Sequence, residues 1–257
     1  MSAAPHPRAP AQVFTVFSTK GGAGTTVIAT NLAILFAQAG RETLLIDLDL
    51  HSGDAALALG ILPRPNLLDV IRPGYPLDAA SLRRHTSVHE SGLHLLAAPT
   101  RPDHEELVPA DRLKPLLEAA CDGYEVVVID TASQFAPASL AALDATDTLL
   151  LVGAPDLPTV KSLKIAMETL QLLGLGRLDL RVLMNRADTE VDLGGDQIER
   201  TLRRPIAFEV PSDIAVPMSL NHACPVVLDA AQSSAAVALR KVAGSLVTPS
   251  GDGRIPQ

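Results

Sequence analysis

The chain has 257 residues, 47% of them hydrophobic and 19% charged, a balance that supports a sizeable packed core and excludes a disordered protein. Its formal net charge of −8 argues against broad electrostatic attachment to DNA or to an anionic membrane surface. Two cysteines, Cys121 and Cys224, stand far apart in no motif and read as free thiols of a reducing cytoplasm, and no run approaches the ~18 apolar residues of a membrane span.

In chain order, Met1 to Ala11 is rich in Pro and Ala without a hydrophobic stretch, so 1–11 reads as a flexible tail and not a secretion signal. Residues 12–18, β-branched and aromatic with few charges, predict a buried strand. A glycine-rich loop follows. From Thr26 the apolar spacing turns helical through Val27, Ile28, Leu32, Leu35 and Phe36, and Gly40 stops the helix predicted over 26–39. Further strands are predicted at 42–48, 92–98, 124–130, 147–153, 179–185 and 205–210. Helices are predicted at 106–120, 136–144, 158–173, 195–203, 212–221 and 232–246. Runs such as Val126–Ile129 and Leu149–Val152 are continuously apolar, as strands covered on both faces must be. Alternating strands and helices define an α/β fold: one doubly wound, mostly parallel sheet over 12–246, with a second polar tail at 247–257.

The loop Thr19-Lys20-Gly21-Gly22-Ala23-Gly24-Thr25-Thr26 carries the chemistry. A phosphate-binding loop follows G-x-x-x-x-G-K-[ST], with its lysine directly after the last glycine. Here Thr25 holds that position, Thr19 replaces the first glycine, and the only lysine is Lys20 at the front. The glycines let backbone N–H groups turn inward around an anion, and the helix N-terminus adds its positive dipole end. Thr26 falls where the hydroxyl of such loops meets Mg²⁺. Two apolar strands end in carboxylates, Asp47 and Asp49 on one and Asp130 on the other. Acids at the carboxyl ends of parallel strands beside a phosphate loop can hold Mg²⁺, and can position a water for attack on a γ-phosphate.

Lys20-Gly21-Gly22-Ala23-Gly24-Thr25-Thr26 resembles the deviant Walker A loop of the ParA/MinD superfamily. Asp47-Leu48-Asp49 resembles its switch I and Asp130-Thr131-Ala132 its switch II. The run Ile46 to Gly60, followed by Pro65-Asn66-Leu67-Leu68-Asp69-Val70-Ile71, is similar to the CpaE/TadZ branch, proteins of Flp-type pilus assembly that often lack the second Walker lysine. The resemblance covers about 12–246. It implies ATP and Mg²⁺ as ligands and a homodimer with ATP at its interface, each Lys20 reaching the partner's nucleotide. It also implies a weak ATPase, with Lys20 and Asp49 catalytic, and with Thr26, Asp49 and Asp130 at the metal. Nucleotide contacts would come from Lys20 through Thr26 (Lys20, Gly21, Gly22, Ala23, Gly24, Thr25, Thr26), from Asn185, matching an adenine-contacting asparagine, and from Pro211 in the segment bordering the adenine. Pilus members commonly carry a receiver-like domain ahead of this unit, for which the chain has no room.

Other residues are open to plainer readings. Asn185 could equally form a turn, and Asp213 reads as a helix cap. Lys161, Lys164, Arg177 and Arg181 could form a basic patch, but their scatter favours a solvated face. His85, His89 and His94 surround a predicted strand or hairpin without metal spacing and read as surface histidines. The last helix holds only two cations, Arg240 and Lys241, and reads as part of the fold and not a membrane anchor. The expected function is a cytoplasmic, ATP-dependently dimerising protein that localises pilus or secretion assembly proteins, at a cell pole or an inner-membrane site. The alternatives are a non-hydrolysing ATP-binding scaffold and a ParA-type partition ATPase, which would need DNA binding. A dinucleotide oxidoreductase would want G-x-G-x-x-G, and the glycine spacing here is wrong.

Overall fold

The structure is a computed structural model that describes residues 10–62, 64–72, 74–100, 108–188 and 193–247. Residues 1–9 and 248–257 of the two expected tails, and 106–107 of the helix expected at 106–120, lie outside the described residues.

Eight strands form one sheet. They are β1 (Gln12–Phe17), β2 (Thr43–Leu48), β3 (Ser87–Val88), β4 (His94–Leu96), β5 (Val126–Thr131), β6 (Thr148–Gly153), β7 (Asp179–Asn185) and β8 (Ile206–Val210). Their spatial order is β3-β4-β2-β5-β1-β6-β7-β8, and every pairing is parallel except the β3–β4 hairpin. The expected doubly wound parallel sheet is therefore present. β1 lies between β5 and β6, so the chain leaves the middle of the sheet in both directions. Ligands of such sheets collect in the crevice at that reversal, outside the carboxyl ends of the strands.

The alternation of side chains along each strand divides the core into two faces. Phe14 and Val16 of β1, Val126 and Val128 of β5, and Leu150 and Val152 of β6 face one layer. That layer holds α1 (Thr25–Gln38) and α11 (Ser234–Leu246), with the short helices α2 (Ala55–Ala58) and α10 (Val226–Asp229) beside them. Val13, Val127 and Ile129 face the opposite layer, whose helices are α3 (Leu67–Val70), α4 (Ala79–Arg84), α5 (Ala110–Gly123) and α6 (Pro137–Asp144). Phe17, Leu149 and Leu151 pack there on α7 (Leu157–Leu172) and α8 (Gly195–Leu202). The remaining helix, α9 (Ala215–Asn221), follows β8.

Seven predicted strands and seven predicted helices recur with shifted ends. The strand expected at 92–98 shortens to His94–Leu96, the helix at 106–120 runs over Ala110–Gly123, and that at 212–221 begins at Ala215. β3, α2, α3, α4 and α10 were not predicted. In α3, Asn66 and Asp69 cap each other's backbone: Leu68 N–H donates to Asn66 Oδ1 at 3.0 Å and Asn66 N–H to Asp69 Oδ2 at 3.1 Å. Part of the segment similar to the pilus branch thus serves a local capping box. α11 buries Ala235, Ala236, Leu239, Val242, Ala243 and Leu246, as a helix belonging to the fold does. No described helix is long and apolar enough to cross a membrane.

Candidate functional site

Every residue singled out for phosphate or metal chemistry lies at or just past the carboxyl end of a strand. The loop from Ser18 to Gly24 joins β1 to α1, and Gly24 starts the helix with φ +95°. The backbone angle favours glycine there, and a Cβ at Gly24 would lie 2.5 Å from Asn185 Nδ2 and so displace that amide. Asn185, at the end of β7, donates from Nδ2 to the Ala23 carbonyl at 2.8 Å, and its Oδ1 accepts the Arg186 N–H at 3.1 Å. Arg186 donates to the Gly22 carbonyl at 3.2 Å. Two carbonyls of the loop are thereby tied to the end of β7 and the residue after it, and the Lys20 N–H donates to Ser18 Oγ at 3.2 Å. Thr25 and Thr26 open α1, and the Thr26 carbonyl accepts from Thr30 Oγ1 at 2.7 Å.

The register of β2 against β5 sets Asp47 opposite Asp130. Both are buried. Asp47 is fully hydrogen-bonded, accepting from Asp49 N–H at 3.0 Å and from Ala55 N–H at 3.1 Å. Burial first, and then the charge of Asp130, push Asp47 well above the usual carboxylate range. Asp130 differs: neither of its buried carboxylate oxygens has a hydrogen bond of normal geometry. Burial raises its pKa to about 7. The nearby Thr26 hydroxyl lowers it without satisfying either oxygen, and Asp49 raises it further. Asp49 is half-buried and shapes its own turn, accepting from His51 N–H at 3.3 Å and Ser52 N–H at 3.1 Å. Orphaned carboxylate oxygens deep in a protein call for a cation. Asp130, Asp49 and Thr26 carry the hard oxygen donors that Mg²⁺ takes, although among the described residues no three His, Cys, Asp or Glu side chains cluster as a metal site.

Lys20 is exposed at the mouth of the loop. Its Nζ donates to Asp156 Oδ1 at 3.0 Å and to Thr159 Oγ1 at 2.9 Å. Asp156 also caps α7, accepting from Thr159 N–H at 2.8 Å. Pro211 lines a separate cavity of about 470 Å³ with Gly24, Val27, Asn185, Ile214 and Leu220, next to the first turn of α1. Gly24 thus joins the loop to the cavity of Asn185 and Pro211, while Asp47, Asp49 and Asp130 lie outside that cavity's lining.

Sequence reasoning missed Asp156, Thr159 and Arg186 as partners of the loop, and gave Asp47 no role apart from its neighbours. The Asp156-Leu157-Pro158 start of α7 carried a capping signal. Asp213, read as a helix cap, instead lies one residue before the N-cap Ile214 of α9, which has no side-chain cap bond; it accepts from Ala215 N–H at 2.9 Å and from Ser234 Oγ at 2.7 Å, which ties α9 to α11. His85, His89 and His94 are half-buried, not surface residues as expected. Each has its own bond: His85 with the Ser81 carbonyl, His89 with Ser91, and His94 with Thr86 and Tyr124. Of the four cations considered as a patch, Arg181 is neutralised by Asp179 at 2.8 Å. Both cysteines are free.

A glycine-rich strand–loop–helix turn over strand-end carboxylates, at the reversal of a parallel sheet, defines a P-loop nucleotide-binding protein. Residues 14–226 match the CobQ/CobB/MinD/ParA nucleotide binding domain, and the chain belongs to that family. An uncharacterized ATP-binding protein of Methanocaldococcus jannaschii is 28% identical over 236 residues, covering 90% of this chain and 86% of its own. The fold is similar to that of a ParA family ATPase from Chlorobium tepidum (TM-score 0.83, 24% identity, 93% of this chain and 99% of that one). It is also similar to septum site-determining protein MinD of Pyrococcus horikoshii, solved with Mg-ADP (TM-score 0.80, 20% identity, 92% and 96%).

Proposed function

We propose that this protein binds ATP with Mg²⁺, closes into a homodimer over two nucleotides, and uses that closure to position a partner assembly. The observation that carries the reading is the placement of cations at the loop. Thr25 leaves the end of the loop uncharged, while Lys20 stands exposed at its mouth on a long side chain held by one solvent-exposed acid. A lysine so placed can serve a nucleotide approached from outside its own chain. Gly21 to Thr26 supply the phosphate cradle, and Asn185 and Pro211 border the cavity that suits a base. Thr26, Asp49 and Asp130 would hold Mg²⁺, which screens the phosphate charge when bound. Asp49 would orient the attacking water. The family match and the Mg-ADP found in the P. horikoshii relative support the nucleotide and the metal.

For the partner, we favour the pilus or secretion assembly proteins of the CpaE/TadZ kind. What supports this is the similarity of the Ile46–Gly60 and Pro65–Ile71 segments together with Thr25. Recruitment would be from the cytoplasm to the assembly site. Sedimentation of the full chain with Mg²⁺ and ATP tests the dimer. The wild type should shift from monomer to dimer, and Lys20→Ala should remain monomeric while still binding one ATP per chain. An unchanged dimer in Lys20→Ala removes the cross-subunit lysine from the proposal. The missing cation at residue 25 favours a second reading, a scaffold that binds ATP without turning it over. Losing one preorganised donor costs about 10²–10³ in rate.

A further inference from the structure

On the face of the sheet that carries α5 and α6, a groove of about 810 Å³ runs between these two helices, and no residue of the phosphate loop lines it. Its walls are single helical faces. α5 contributes Lys114, Leu117, Glu118, Cys121 and Asp122, and α6 contributes Leu140, Ala141 and Asp144, at spacings of three and four residues. The floor is apolar, formed by Leu117 and Ala141 with Leu140 beside them, and Cys121 is half-buried among them. The rim is charged and mostly of one sign: Glu118, Asp122 and Asp144 are exposed, against the single cation Lys114. None of these four has a hydrogen bond or ion pair through its side chain to any described residue, so the charge is not spent inside the fold. The field reaches the floor, since burial first, then Asp147, Asp122 and Glu118, raise the Cys121 thiol.

We propose that this groove is a docking site for a cationic amphipathic helix of a partner protein, its apolar face on Leu117, Leu140 and Ala141 and its lysines or arginines against the acidic rim. The occupant follows from complementarity. An apolar floor between two helices admits a third helix as a ridge into a groove. An unpaired acidic rim favours a basic flank and disfavours an acidic one, as well as anionic lipid and nucleic acid. The proposal stands independently of what the phosphate loop binds.

The test uses the full chain with Cys224→Ser, so that Cys121 is the one thiol. The probe is an acetylated peptide of about 14 residues, leucine on one helical face and lysine on the other. Binding is followed by calorimetry, and the groove by the rate at which a maleimide alkylates Cys121. The lysine peptide should bind, slow the alkylation, and lose about tenfold in affinity on raising salt from ~0.05 to ~0.3 M. The matched leucine–glutamate peptide should neither bind nor protect. Charge reversal at the exposed rim (Glu118→Lys, Asp122→Lys and Asp144→Lys together) should abolish binding and leave nucleotide binding intact. Three results would overturn the proposal: equal affinity for the reversed variant, binding without protection of Cys121, or equal binding of the glutamate peptide. Self-association that Leu140→Glu abolishes would likewise overturn it, by giving the groove to a second copy of the chain.

Discussion

Gly24 and Asp130 show how much a single residue decides in this site. Gly24 combines a φ of +95° with a Cβ position already taken by Asn185 Nδ2. Gly24→Ala must strain the backbone and displace the amide that fixes the Ala23 carbonyl. A left-handed alanine alone costs roughly 1–2 kcal/mol, so the variant should lose about 2–3 kcal/mol in urea unfolding and bind ATP much more weakly. Asp130 has the opposite sign. Its folded pKa, about 7, lies above the value near 3.9 of an unfolded aspartate. Between those two pH values the native state holds more protons than the unfolded chain. Its stability therefore falls as pH rises through that window. In chelator, Asp130→Asn should match the wild type near pH ~4 and exceed it at pH ~8 by up to about 4 kcal/mol, while losing Mg²⁺-dependent nucleotide binding. Urea unfolding at the two pH values checks this, and an equal difference at both would remove burial of a charge as its cause. The sequence marked Asp130 by its place after Val126–Ile129 but not its orphaned state, which depends on what β2 and α1 bring beside it.

The strands were legible because burial on both faces writes them as continuous apolar runs, and the long helices because they carry a repeating stripe. The elements that escaped prediction are short. α2, α3 and α10 have four residues each and β3 has two, too few to show a period, so tertiary packing, with a local capping box in α3, fixes them. The start of α7 is the functional case. The sequence reading did not use the capping signal of Asp156 before Pro158, and its bond to Lys20 spans 136 positions and leaves no local pattern. That bond holds the lysine within its own chain, so the proposed dimer closure would have to release it. Asp156→Asn keeps an oxygen for the Thr159 N–H and removes the charge, since Asn and Asp cap about equally well. The pair is exposed, 44% and 40% at its two side chains, and such pairs contribute about 0.2–1 kcal/mol. Asp156→Asn should therefore tighten ATP-dependent dimerisation modestly, by up to about fivefold, while lowering the melting temperature of the free chain by at most about 4 °C. A weakened dimer would instead make Asp156 part of the closed interface.

At the scale of the whole molecule, the sheet order collects the site from distant segments. Loop β1–α1, the ends of β2 and β5, and the ends of β7 and β8 meet at one edge because β1 lies in the middle of β3-β4-β2-β5-β1-β6-β7-β8. That convergence was readable from the alternation of elements, because parallel crossovers place all carboxyl ends on one side. One chain nevertheless lacks a cation where phosphate charge develops, at Thr25, and its one loop lysine is turned to Asp156. If a second subunit supplies that charge, turnover belongs to the dimer and not to the chain. ATP hydrolysis per chain should then rise with protein concentration below the dimer dissociation constant and level off above it. Thr25→Lys restores a cation within each chain. It should raise the rate at low protein concentration by about 10–10² and flatten the dependence, because the charge no longer has to arrive from a partner. Phosphate release measured over a dilution series of both proteins decides the matter. A rate per chain that is constant for the wild type would place the whole reaction within one subunit. Absent turnover in the wild type that appears in Thr25→Lys would favour the scaffold, in which ATP closes the dimer and is not consumed.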